Sequence, residues 1–318
     1  MAVEHEEYQY INLIKSILKD GSIEETRNGT TKNIFGYSMR FSLKDGSLPL
    51  ITTKKTAWKT CLKELLFFIR GYTDNRILKE NGVNIWNANT TRQFLNERGL
   101  SHYQEDCLGP VYGYQWRNWN APYTPPQFKE INENNSNQPR AEPSLSTGIK
   151  NTLTNGGGID QLLNIINSLK NPETRTSRRL ILTAWNPEQI EQMALPPCHV
   201  MAQFNVRNGI WLSCCLFQRS GDVGLGVPFN IASYAFLTHI LAKHCGLVAD
   251  EFVYFLGNAH IYEEHINALK GQIEKTPFPF PKISITNQYD NIEEYGVNDI
   301  KFTEEYQCHN EVKMVMKA

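Results

Sequence analysis

The sequence lacks a charge imbalance, a long apolar run and any paired CxxC arrangement, and each absence removes a class of protein. Lys and Arg number 32 against 33 Asp and Glu over 318 residues, a formal net charge of −1. No global field therefore gathers nucleic acid or an anionic membrane surface, and any bound anion must be held by a local group of arginines. No stretch approaches the ~20 consecutive apolar residues that cross a bilayer. The opening MAVEHEEYQYINLIK is acidic, without the charged-then-apolar-then-small layout of a secretory leader. The seven cysteines are odd in number, and Cys214 and Cys215 are neighbours that cannot easily bridge each other. Neither a disulfide framework nor a structural zinc site is expected, and no metal at all. Reduced thiols in a cytoplasmic compartment are. Each thiol is then a core filler or a nucleophile.

What is present is enough apolar material for a thick core, since 41% of residues are hydrophobic. Residues 7–19 carry apolar groups at helical spacing and stop at Asp20-Gly21. TTKNIFGYSMRFSLKDG reads as strands with a turn at Asp45-Gly46, and 57–70 as a strongly apolar helix ended by Gly71. Residues 120–158 are rich in Asn, Pro, Ser, Thr and Gly with almost nothing to bury, which predicts a disordered surface insertion. Helical order returns at 159–169. RRLILTAW, HVMAQFNV and IWLSCCLF then read as strands, 229–245 as a buried helix, and EFVYFLG as a further strand. Strands and helices without regular βαβ alternation predict an α+β fold, a sheet covered by helices.

Asn208-Gly209 between two strand-like runs is a strong hairpin signal. With those two residues as the loop, paired positions sum to 417, which sets Cys198 opposite Arg219 on one side of the sheet. A bulge would slip that register by one. A guanidinium beside a thiol favours thiolate, the reactive form, so Cys198 is a nucleophile candidate, its other reading being a buried structural cysteine. His199 points to the opposite face of the strand and is a poor partner base. Glu64 falls on the apolar stripe of Cys61, Leu65 and Phe68, where burial would perturb its pKa.

MALPPCH (193–199), QRSGDVGLGVPFNIASY (218–234), GNAHIY (257–262), SRRLILTAWN (177–186) and GPVYGYQWR (109–117) together resemble the thymidylate synthase family. FGYSMRF, ITTKK and KELLFFIRG extend the likeness to nearly all the chain outside 120–158. The resemblance implies a large mixed β-sheet covered by helices, with sheets packing back to back in a homodimer. It also implies reductive methylation of dUMP to dTMP with 5,10-methylenetetrahydrofolate as co-substrate, a methyltransferase activity. Cys198 would be the nucleophile toward ring carbon 6, and Glu64 and Tyr112 would organise removal of the proton from carbon 5. Arg27, Arg219 and Ser220, with Gln218, would hold the nucleotide, and Arg178 and Arg179 would reach across from a second subunit. Asn230 would read the uracil edge, and His260 and Tyr262 the ribose 3′-hydroxyl. Asp222 would bind the pterin, with Lys54, Ile85, Trp86, Leu225, Gly226, Phe229 and Ala318 completing the folate site.

The sequence departs from the family pattern at several points. The loop after Arg27 is one residue shorter, Asn87 and Asn258 replace Asp, the hairpin at Asn208-Gly209 is one residue longer, and the chain ends Lys317-Ala318. Closure of the tail over folate is therefore expected to be weaker or to rely on the Ala318 carboxylate. Because residues on both sides of 120–158 belong to one expected site, 1–318 reads as a single catalytic domain, monofunctional in outlook. Two other activities fit parts of the pattern. One is a pyrimidine nucleotide hydroxymethylase, disfavoured by Asn230. The other is a nucleic-acid-binding regulator with a degenerate site, disfavoured by the neutral charge and by Cys198, Arg219 and Asn230. No membrane partner and no obligatory nucleic acid are expected.

Overall fold

Alternating burial along the strands and one nearly all-apolar helix organise the molecule. The computed structural model describes residues 4–126 and 157–317, so residues 127–156 of the expected insertion, and Ala318, lie outside the described residues. Within the described residues a six-stranded sheet runs in the order β1-β2-β6-β5-β4-β3, with β1 Ser22–Thr26, β2 Gly29–Ser42, β3 Ile181–Thr183, β4 His199–Arg207, β5 Trp211–Asp222 and β6 Val248–Tyr262. Helices α1 (Tyr8–Asp20), α2 (Trp58–Ile69), α3 (Asn75–Glu80), α4 (Arg92–Glu97), α5 (Gly113–Asn118), α6 (Gln161–Lys170), α7 (Gly226–His244) and α8 (Ile266–Gln272) accompany it. A two-stranded ribbon, β7 (Ile283–Ile285) with β8 (Ile300–Phe302), completes the fold.

All pairings in the large sheet are antiparallel except β5 with β6, which run parallel. A parallel pair needs a crossover, and α7 supplies it. This helix is buried at Ile231, Ala235, Phe236, Leu237, Ile240 and Leu241 alike. It has no solvent stripe to orient it, and its burial on every side makes it the centre of the core. It begins at Gly226, three residues earlier than the sequence suggests, so Gly226, Phe229 and Asn230 all lie inside the helix.

The hairpin between β4 and β5 differs from the sequence reading in two ways that cancel. Arg207 pairs with Trp211 and Met201 with Phe217, so the loop holds three residues and paired positions sum to 418. Asn208 and Gly209 take φ of 52° and 73°, the left-handed conformation such a loop requires. A bulge between His199 and Met201 then restores the other register, and His199 pairs with Gln218. The backbone N–H of Arg219 donates to the Cys198 carbonyl at 3.0 Å, so these two residues do meet.

The topology gathers one edge of the sheet. The C-terminal ends of β5 and β6 lie side by side, with Ser220 opposite Asn258 and Asp222 opposite His260. Antiparallel pairing brings the start of β4 and the start of β2 to the same edge, with Asn33 opposite His260. The N-terminus of α7 emerges there too.

Glu7 fastens the start of α1 to Thr52 and Thr53. Its carboxylate is fully buried and accepts from the Thr52 and Thr53 backbone N–H groups, both at 2.8 Å, and from their hydroxyls at 2.5 and 2.7 Å. Glu7→Ala leaves those donors buried without partners, and a loss of about 3 kcal/mol is expected. A urea midpoint unchanged from wild type would contradict it.

The opposite face of the sheet leaves Ile181, Met201, Phe217 and Phe255 exposed. Met201, Phe217 and Phe255 sit in one row across three strands.

Candidate active site

Cys198 sits half-buried where β4 begins. The Arg219 guanidinium is held in place from the Pro196-Pro197 lead-in. Its Nε donates to the Pro197 carbonyl at 2.8 Å and its Nη2 to the Pro196 carbonyl at 2.9 Å, leaving Nη2 3.9 Å from Cys198 Sγ. The prolines thus supply acceptors as well as rigidity. Arg219 also lies over the Trp185 ring at 5.6 Å. The expectation of a depressed thiol pKa needs correction. Burial pushes the Cys198 thiol above its ordinary value, and Arg219 pulls it only part of the way back. One cation already shared with two carbonyls does not offset desolvation of the thiolate.

Tyr112 links the thiol to a second group. Its hydroxyl oxygen accepts from the Cys198 backbone N–H at 2.8 Å, and its ring stacks on Phe68 at 4.8 Å. Tyr112 has φ of +27°, an unfavourable conformation for a side-chain-bearing residue, held where α5 begins. Trp86, 6.1 Å from that ring, donates its indole N–H to Glu64 Oε1 at 2.7 Å. Glu64 is buried on α2 as its stripe predicts. Burial lifts its pKa to about 7 against the lowering pull of Trp86.

Asn230 is fixed by a chain of hydrogen bonds. The Tyr254 hydroxyl donates to Gln218 Oε1 at 2.6 Å, and Gln218 Nε2 donates to Asn230 Oδ1 at 3.0 Å. With that end assigned, Asn230 Nδ2 faces His199 Nε2 at 2.6 Å. Burial pulls His199 down to about 4, so its ring is neutral near pH 7 and its Nε2 can accept. A carboxamide has two donor hydrogens and two acceptor sites, so one of each remains for a ligand.

Arg27, Ser220, Asn258, His260 and Tyr262 line a cavity of about 280 Å³ beside this group. His260 Nδ1 meets Asn258 Oδ1 at 3.1 Å, which orients the imidazole without an acid at that position. Asp222 Oδ1 accepts from the Gly224 N–H at 2.8 Å. Lys54, expected among the folate contacts, is buried and turned onto the Gly224 carbonyl, and burial lowers it to about 8 despite Asp222. Ile85, Leu225, Gly226 and Phe229 are half-buried around the same region, with Phe229 tied to α2 by the Cys61 thiol at 3.3 Å.

Arg178 and Arg179 are not brought to this cleft. They are exposed before β3, and Gln203 of β4 donates to the Arg178 carbonyl at 3.1 Å. Sequence reasoning passed over His199 as a partner for Asn230, and over Tyr254 and His265 entirely. Tyr254 alternates with its neighbours like any core aromatic, so no local signal marks it. Among the described residues, no group of three His, Cys, Asp or Glu is arranged to hold a metal, and no helix is long and apolar enough to cross a membrane.

The family model described as "Thymidylate synthase" matches residues 8–318. The chain belongs to the thymidylate synthase family. Relatives named bifunctional dihydrofolate reductase-thymidylate synthase are similar over 98% or more of its length, at 46% identity in Paramecium tetraurelia, 43% in Zea mays and 44% in Plasmodium berghei. The chain spans 62%, 54% and 49% of those relatives respectively, so it is similar to one part of each. Family membership agrees with the α+β architecture, a mixed sheet whose helices cover one face.

Proposed function

We propose that this chain catalyses reductive methylation of dUMP to dTMP, with 5,10-methylenetetrahydrofolate supplying the one-carbon group and the hydride. The observation that carries the reading is the Cys198 thiol facing the Arg219 guanidinium, beside a carboxamide with one free donor and one free acceptor. Uracil is too poor a carbon nucleophile to react unaided. Addition of the Cys198 thiolate to ring carbon 6 creates an enolate and makes carbon 5 nucleophilic, which divides one hard step into easier ones. After the carbon is joined, the proton on carbon 5 leaves through groups organised by Glu64 and Tyr112. Tetrahydrofolate departs to leave an exocyclic methylene, and its hydride reduces that methylene. The Cys198–carbon 6 bond then breaks to release dTMP, dihydrofolate and the thiolate.

Asn230 pairs with the carbonyl at position 4 and the N–H at position 3, and the link to Tyr254 through Gln218 keeps it from rotating. Arg27, Arg219 and Ser220 take the phosphate, because planar forks suit phosphate oxygens. His260 and Tyr262 take the ribose. Asp222 receives the pterin, Ile85, Trp86, Leu225, Gly226 and Phe229 form its walls, and Lys54 supports them through Gly224. Ala318 belongs to the tail that closes the site.

The same reading makes the protein a homodimer. The exposed row Met201, Phe217 and Phe255 supports a back-to-back pairing of sheets, and exposed Arg178 and Arg179 are then free to enter the other subunit's site. It treats 1–318 as one catalytic domain. In support, Trp119 and Ile159 exchange backbone hydrogen bonds at 2.9 Å, so the 120–158 segment leaves and rejoins the fold at one point. Seven free cysteines accord with a cytoplasmic location. The reading calls for no nucleic-acid or membrane partner.

The test mixes pure protein, dUMP and methylenetetrahydrofolate and follows dihydrofolate absorbance; no absorbance change overturns the reading. Asn230→Asp is expected to shift preference from dUMP toward dCMP by at least about tenfold, since each mispaired buried polar group costs about 1–3 kcal/mol. Relative kcat/KM for the two nucleotides checks it.

A further inference from the structure

A short turn after β6, Glu263–His265, sets His265 between two oxygens. Its Nε2 lies 2.8 Å from the Val315 carbonyl in the C-terminal segment. Its Nδ1 lies 3.7 Å from Asp222 Oδ1 and is buried without a hydrogen-bond partner among the described residues. The ring is buried, at 1% exposure. A neutral imidazole carries one N–H, so one of its nitrogens would turn a lone pair toward an oxygen. Only the imidazolium turns an N–H toward both oxygens, hydrogen-bonded to Val315 and ion-paired with Asp222.

We propose that His265 is a proton-operated positioning residue that fastens the C-terminal segment to Asp222, so that docking of the tail takes up a proton. That Asp222 is the pterin carboxylate rests on the function proposed above; the latch itself does not. Gly224 marks how closely the three parts approach. A Cβ there would lie 2.9 Å from His265 Nδ1, 3.0 Å from Met314 Sδ and 3.2 Å from Asp222 Oδ1. Glycine leaves the junction open for strand, turn and tail to meet. A second tie, Lys317 to Glu264 at 2.8 Å, is exposed and therefore weak.

The charged and titratable groups around His265 are Asp222 at the end of β5, Lys54 from the segment before α2, His260 and Tyr262 on β6, Glu264 in its own turn and Lys317 on the tail. Burial pulls His265 down, but Asp222, the Val315 carbonyl and Glu264 outweigh it and hold the ring above its ordinary value. His260 moves the opposite way, lowered by burial, so the two histidines titrate in separate windows. The Val315 carbonyl arrives only with docking and favours the imidazolium, so the tail is held most firmly below the pKa that His265 has while the tail is open. Its hold weakens as pH climbs from there through the raised docked value.

Tryptic cleavage at the exposed Lys313, in the ligand-free full chain and corrected for the protease's rate on the free peptide, tests this between pH 6 and 9. The opening constant of wild type should rise up to tenfold per pH unit across that window, the slope of a one-proton linkage. His265→Gln should open more and show no slope. Lys317→Ala should open more at every pH and keep the slope. A flat wild-type profile, an unchanged slope in His265→Gln, or a slope lost in Lys317→Ala overturns the proposal. If His265→Gln does not fold, NMR titration of the His265 ring in wild type and in a variant truncated after Lys313 decides: a higher value with the tail present supports the latch, and an equal or lower one overturns it. None of these measurements uses turnover, so a failed dUMP assay and a failed latch remain distinguishable.

Discussion

Cys198→Ala is expected to lower dUMP turnover by on the order of 10⁴-fold or more, because the covalent route opens through its sulfur. The dihydrofolate absorbance assay measures the rate. Mass spectrometry with 5-fluoro-dUMP and reduced folate measures the adduct, which wild type should trap and the variant should not. The thiol is half-buried and its contact with Arg219 is long at 3.9 Å, so the fold should survive the change. Nucleotide affinity should stay within severalfold, since Arg27, Ser220, His260 and Tyr262 remain around the cavity. Residual turnover within tenfold of wild type would remove Cys198 from the mechanism.

Glu64→Gln is the second large effect, a fall in kcat of roughly 10²–10⁴-fold, the range for loss of a positioned acid or base. Its pH signature is specific. Burial holds the Glu64 carboxyl at about 7, so the carboxylate that accepts a proton is depleted below that pH and filled above it. Wild-type kcat/KM should therefore rise with pH through about 7, and Glu64→Gln should lose that limb. The amide still accepts from the Trp86 indole N–H, so the packing of α2 against Trp86 and Tyr112 is kept. An acidic limb unchanged in Glu64→Gln would assign it to another group.

The burial of Cys198 shapes both expectations. Its thiol is raised rather than lowered in the ligand-free chain, so the reactive thiolate is a minor species until something besides Arg219 stabilises it. Sequence proximity of a cation indicates the sign of one contribution. The opposing desolvation depends on how deeply the strand end is covered, and that is a tertiary quantity.

The hairpin is the clearest case of a correct site reached through an incorrect local path. Asn208-Gly209 identifies the turn and its left-handed backbone. It does not reveal that Ile210 joins the loop or that a bulge follows at His199. The two one-residue slips cancel, and Cys198 meets Arg219. Bulges arise where a strand must bend around neighbours, here α7 and Tyr112, which the strand's own residues do not specify.

What the sequence by itself determines is what depends on neighbours in the chain. It sets the apolar stripe that buries Glu64, the continuous apolar helix that becomes the core, and the residue types at the start of β4 and the end of β5. Its motifs also suffice to place it in its family. Only the tertiary structure decides which way the charges and amides lean. It turns Lys54 inward onto Gly224, keeps Arg178 and Arg179 out of the chain's own cleft, links Tyr254 through Gln218 and Asn230 to His199, and sets His265 between Asp222 and the tail. These arrangements join residues tens to hundreds of positions apart, and their energies depend on burial and distance, which no local pattern encodes.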